Sequence, residues 1–216
     1  MAVLAFGIAM GYLEATVVVY LRAALGLDPR VVVPVADPGA FDAYAGIEIA
    51  RELATLLMIA AVGWLAGRSW IERLAWAAVV FGAWDIVYYV GLWLTVDWPP
   101  ALDTWDILFL VPMTWVGPVW APIAVSAALI GFGLAAAWML RAGRSVDIGL
   151  PGMLVALAGG GLVIFSFLLD ADRVLDGDTS SWSAWAQFWL GMALAAAAAL
   201  MALARGWSRP AAARDP

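Results

Sequence analysis

Residues 119–140 read VWAPIAVSAALIGFGLAAAWML and hold no charged side chain. As a helix this stretch is roughly 33 Å long, enough to cross a hydrocarbon core of about 30 Å. A helix apolar on every face has no polar stripe to offer water, so it belongs in a bilayer or a large core. A chain of 216 residues has no core large enough to hide several such helices. Arg141 and Arg144 follow at once and mark one edge of the apolar zone.

Working outward, the same reading finds five more spans. The set is roughly 2–25, 46–66, 74–96, 119–140, 150–169 and 185–204. Overall 65% of residues are hydrophobic and 13% charged, against about half and a quarter in a soluble domain. Six spans use most of the length, so residues 1–216 are expected to form a single transmembrane domain, with a short arginine-containing tail at 205–216. The expected class is an all-α polytopic membrane protein.

The stretch 101–116, ALDTWDILFLVPMTWV, is too short to span and carries Pro112. It is expected to form a short interfacial or re-entrant helix near 103–115.

Arginine placement sets the orientation. With the N-terminus inside, the inner segments hold Arg68, Arg73, Arg141, Arg144, Arg205, Arg209 and Arg214, and the outer ones only Arg22, Arg30 and Arg173. Asp28, Asp37, Asp42, Asp97, Asp103 and the run from Asp170 to Asp178 fall outside. The expected location is a bacterial-type cytoplasmic (inner) membrane with both termini cytoplasmic. The first segment lacks a basic leader and is read as a retained helix. Tryptophans near the ends of the spans, such as Trp64, Trp76, Trp98 and Trp185, fit the two interfaces.

The chain has no cysteine, no histidine and no lysine. Fe–S clusters, histidine-held haem, and a retinal or PLP Schiff base are therefore disfavoured, and no cofactor is expected. A hard cation on carboxylate oxygens stays possible. The expected partners are the lipid bilayer and no nucleic acid.

Against this apolar background, Glu14, Glu48, Glu52 and Asp85 stand inside the first three spans. A charge at mid-depth costs on the order of 2.5–3.5 kcal/mol, so such residues should face one another, a cavity or a partner. Glu48 and Arg51 are three apart and should pair, leaving Glu52 to point toward Glu14 or Asp85. Asp106 could cap the group. If a metal binds, Glu14, Glu52 and Asp85 are its candidate ligands, while Arg51 suits a charge partner or an anion such as a lipid phosphate. Ser126 and Ser166 are expected to bond back to the preceding helical turn.

Gly7 with Gly11, and Gly191 with Ala195 and Ala199, form small-residue faces. These serve packing within the chain, or a membrane protein partner or homo-oligomer. Trp115-Val116-Gly117-Pro118-Val119-Trp120 resembles the Gly-Pro-Val-Trp stretch of the tryptophan-rich sensory protein (translocator) family. That match covers about six residues, and the family's five spans and lack of an acidic set differ from this chain, so no family follows from it. The functional expectation is a cation- or proton-handling, transporter-like protein. The alternatives are an accessory or structural subunit of a larger membrane complex, and a membrane-embedded enzyme acting on a lipid or apolar substrate.

Overall fold

The computed structural model describes residues 1–24, 26, 28 and 38–208, with the backbone alone for 38–43 and 208. Arg30, Asp37, Arg209 and Arg214, which entered the orientation count, lie outside the described residues, as does the Asp42 side chain.

The helices are α1 (Ala2–Ala24), α2 (Pro38–Ala66), α3 (Trp70–Val96), α4 (Trp120–Arg141), α5 (Gly149–Leu168), the short α6 (Ala171–Leu175) and α7 (Trp185–Ser208). Six of the helical segments are long and apolar enough to cross a membrane. The protein is a polytopic, helical membrane protein, as the composition implied.

The segment between α3 and α4 corrects the expected short helix. It forms two antiparallel strands, β1 (Trp105–Phe109) and β2 (Trp115–Pro118). Trp105 pairs with Pro118, Asp106 with Gly117 and Ile107 with Val116, and a bulge then sets Phe109 opposite Trp115. The physical reason is backbone satisfaction. A short helix over 103–115 interrupted at Pro112 would leave its first amides, and a carbonyl at the break, unpaired among apolar neighbours. Facing strands of Trp, Ile, Phe and Val pair those donors with one another. The same loop closes the start of α4, which has no side-chain cap. There the Val119 and Trp120 amides donate to the carbonyls of Thr104 and Leu102.

The helices pack through small residues. A Cβ on Gly11 would press into the Trp84 carbonyl, which seats α1 on α3. Gly159 and Gly191 face each other across α5 and α7, and a Cβ on either would lie 2.7 Å from the other's carbonyl oxygen. Gly7, Gly11 and Gly191 are thus packed within the chain, while Ala195 and Ala199 line a cavity. No hydrophobic effect drives helices together in lipid, so such close approach supplies the packing energy.

A sequence of contacts results: α1 on α3, α3 on α4, α4 on α7, and α7 on α5. α2 lies on α3 and only lightly against α1, and among the described residues no extended contact joins it to α5 or α7.

The start of α3 adds a buried acid that the span boundary at 74 had hidden. Ser69 caps the helix, accepting the Glu72 amide at 3.2 Å. The Glu72 carboxylate in turn accepts from the Arg68 amide at 2.9 Å, the Trp76 indole at 3.4 Å and Arg141 at 3.0 Å. This residue closes the arginine-rich end of the bundle and fastens α3 to α4.

Candidate functional site

A cavity of about 510 Å³ lies between the two halves of the bundle. One wall is charged: Glu14 and Arg22 from α1, Glu48, Arg51 and Glu52 from α2, Asp85 and Tyr88 from α3, and Asp106 from β1. The opposite wall is apolar: Val125, Leu129 and Phe132 from α4, Val163 and Ile164 from α5, and Met192 and Ala195 from α7. The asymmetry follows from the sequence, because the first three spans carry the acids and the last three carry none in their apolar cores.

All five sequence-chosen carboxylates are buried, each between 1% and 9% exposed. Their partners differ. Arg51 donates to Glu48 through Nε at 2.9 Å and Nη2 at 2.6 Å, the spacing-derived pair. Its Nη1 meets Glu14, so one guanidinium bridges carboxylates on α1 and α2. Thr55 adds a hydroxyl at 3.5 Å from Glu14.

Glu52 does not turn to Glu14 or Asp85 as expected. It reaches the hairpin, where both its oxygens accept the Leu110 amide, at 3.0 and 2.9 Å. That amide lies just past the end of β1, beyond the ladder, and needs an acceptor from elsewhere.

Asp85 accepts the Ser126 hydroxyl at 2.8 Å. Ser126 is thereby corrected from a back-bonded helix serine to a partner across α3 and α4. Ser166 does bond back, donating to the Val163 carbonyl at 2.6 Å.

Asp106 does cap the group, from β1, and it is held on two sides. The Tyr89 hydroxyl donates to it at 3.0 Å, and the Arg22 cation acts on it electrostatically. Burial pushes its carboxyl up to about 6, against the pull of Arg22, Tyr89 and the Ile107 amide. Arg22 also lies over the Trp98 ring, 4.8 Å from its centroid.

Sequence reasoning had placed Arg22 with the outer loop, and it had not singled out Tyr88 or Tyr89. A spacing signal existed for each. Arg22 follows Glu14 by eight residues, two helical turns, and the tyrosines follow Asp85 by three and four. Tyr88 stands on the charged wall within electrostatic reach of Asp106, Arg22, Arg51 and Asp85.

Among the described residues no three carboxylates gather closely enough to hold a metal ion. Glu14, Glu52 and Asp85 therefore line one cavity without forming one ligand set. Two wall residues keep buried donors unused: the Nε1–H groups of Trp84 and Trp115 have no hydrogen-bond partner. Trp84 is 6% exposed.

The hairpin roofs this space. It is fixed to α2 through Glu52 and to α3 through Tyr89, and Gly117 lies so close to Phe167 of α5 that a Cβ there would sit 3.0 Å from the ring.

Six apolar helices around a half-charged chamber define a polytopic membrane protein with an internal cavity. Comparison of the chain with protein-family models, curated proteins and solved structures finds no match.

Proposed function

We propose that this is a transporter-like membrane protein whose cavity handles protons on carboxylates. The observation that carries the reading is the charge balance of one wall, where five carboxylates face two guanidiniums. In a cavity of low dielectric that excess must be met by protons or a bound cation. Protons suit the geometry better than a metal ion, because the carboxylates are each engaged, Glu14 and Glu48 by the shared Arg51, and among the described residues no three converge.

The location proposed is a bacterial-type inner membrane with both termini cytoplasmic, which turns the hairpin outward. The test is proton movement in liposomes containing the purified protein and an internal pH dye. An imposed gradient should dissipate faster than in empty liposomes, and Asp85→Asn and Glu52→Gln should each slow it at least tenfold. Equal rates in all samples would reject the reading.

One observation favours a second reading. The cavity is lined by α2 and by α5 and α7, yet among the described residues no extended contact closes α2 against that pair. A side opening of this kind suits a membrane-embedded enzyme acting on a lipid or apolar substrate, with the same carboxylates as acid–base groups. Turnover of an added lipid, rather than proton flux alone, would single it out.

A further inference from the structure

We propose that the cavity binds a neutral ring lipid of the quinone type, a flat ring bearing carbonyl oxygens with an apolar tail, drawn in sideways from the bilayer between α2 and the α5–α7 pair. The proposal rests on the reading of this cavity as the working site.

The first argument is the way in. Ile164 of α5 lines the cavity and is still 41% exposed, so protein neighbours do not seal it. Leu53 and Leu56 on α2 are exposed to 51% and 38%. A ligand that passes between such side chains comes from lipid.

The second argument is volume and lining. About 510 Å³ is in the range that encloses a ring and several carbons of tail. The wall of α4, α5 and α7 offers that tail only apolar and small groups, and at Gly160 a side chain would meet open space.

The third argument is the polar end. Trp84 and Trp115 line the cavity, and the indole N–H of each is buried without an acceptor. An unsatisfied buried donor costs about 1–3 kcal/mol, and a carbonyl oxygen supplies what it lacks. An ammonium head cannot, since it only donates. It would also find Glu14 and Glu48 engaged by Arg51, Glu52 by the Leu110 amide, and Asp106 by Tyr89 and Arg22. The aromatic lining favours a flat ring. Phe81 and Phe109 are within 14° of parallel at 6.4 Å, and Phe109 lies between Trp84 and Trp115, at 6.1 and 5.6 Å.

The experiment uses the full chain in lipid nanodiscs and native mass spectrometry, with three probes: a ubiquinone analogue with a decyl tail, decylbenzene, and dodecyltrimethylammonium. One quinone per chain should be retained, and decylbenzene and the ammonium should be lost. Trp84→Phe, which keeps an aromatic ring and removes the donor, should weaken retention about tenfold, the equivalent of one lost hydrogen bond. Gly160→Phe should abolish it by filling the tail space. If Trp84→Phe loses helicity, Trp115→Phe serves as the donor test and Gly160→Phe as the location test. Retention of decylbenzene equal to that of the quinone would overturn the proposal, as would quinone retention unchanged by Gly160→Phe. Retention of the ammonium without the quinone would also overturn it, by pointing to a cation instead. The proton reading fails separately: quinone retention with no carboxylate-dependent proton movement rejects that reading and leaves the lipid site standing. Proton movement without quinone retention does the reverse.

Discussion

The carboxylate of Glu52 on α2 receives the backbone amide of Leu110, at the inner edge of the hairpin turn, through both of its oxygens. This contact ties the roof of the cavity to a helix that is otherwise held mainly by α3. Glu52→Ala should therefore leave a half-buried donor unpaired, at a cost of about 1–3 kcal/mol. Glu52→Gln keeps one acceptor and should cost less. Hydrogen exchange of the hairpin amides would register the difference: the alanine variant should lose protection at Leu110 while the cores of α3 and α4 stay protected. Unchanged exchange at Leu110 would mean that the ladder alone holds the roof.

Arg51 gives a second expectation. It bridges Glu14 and Glu48, and removing it strands two buried carboxylates. Breaking one side of a buried pair typically costs about 3–5 kcal/mol. Arg51→Met should lower the thermal midpoint in detergent sharply. The triple variant with Glu14→Gln and Glu48→Gln should recover most of the loss, because neutral amides need no counter-charge. A triple variant no more stable than Arg51→Met would show that the guanidinium acts through packing and not charge.

Much of this arrangement was legible in the chain, and the parts that were not share a cause. A span is a run of about twenty apolar residues, so composition alone marks it. Glu48 and Arg51 pair as their spacing implies, because both lie on one helix and no distant residue has to be known. Glu52 was misdirected because its partner is a backbone amide in a segment whose secondary structure was itself misread. Trp105 to Val116 is a short apolar run interrupted by proline, and periodicity cannot separate strand from helix over so few residues. The signal that would have decided it is the density of Trp, Ile, Phe and Val on both sides of Pro112. Arg22 and Glu72 were misplaced for another reason. Charge was used to end the spans, and these two charges are buried at the ends, one against Trp98 and near Asp106, the other by Arg68, Trp76 and Arg141.

Orientation can be tested without background, since the chain contains no cysteine. Met113 at the hairpin turn is 56% exposed, and Trp207 near the end of α7 is 54% exposed. A single Met113→Cys should react with a membrane-impermeant maleimide added to intact bacterial spheroplasts. Trp207→Cys should react only after lysis. The reverse pattern would invert the protein and place the hairpin roof in the cytoplasm.

Asp106 carries the pH dependence that can be given a sign. Its carboxyl rises from an ordinary 3.8 to about 6 through burial, with Arg22 and Tyr89 opposing the rise. Between those values the folded protein holds a proton that the unfolded chain has released. Stability from this group is thus full below about 3.8 and is lost as pH climbs through 6, by an amount on the order of 3 kcal/mol. Asp106→Asn keeps an acceptor for the Tyr89 hydroxyl and removes the titration. Thermal unfolding in detergent from acid to neutral pH should therefore show a steeper fall for the wild type than for Asp106→Asn, with the two curves diverging from about pH 3.8 and running parallel above about 6. Asp85 and Tyr88 lie within electrostatic reach of Asp106, so the difference reads Asp106 together with its effect on those two neighbours. Parallel curves throughout would place its proton outside this range and count against the proposed proton-handling role for Asp106, leaving it as a hydrogen-bonded anchor between β1 and α3.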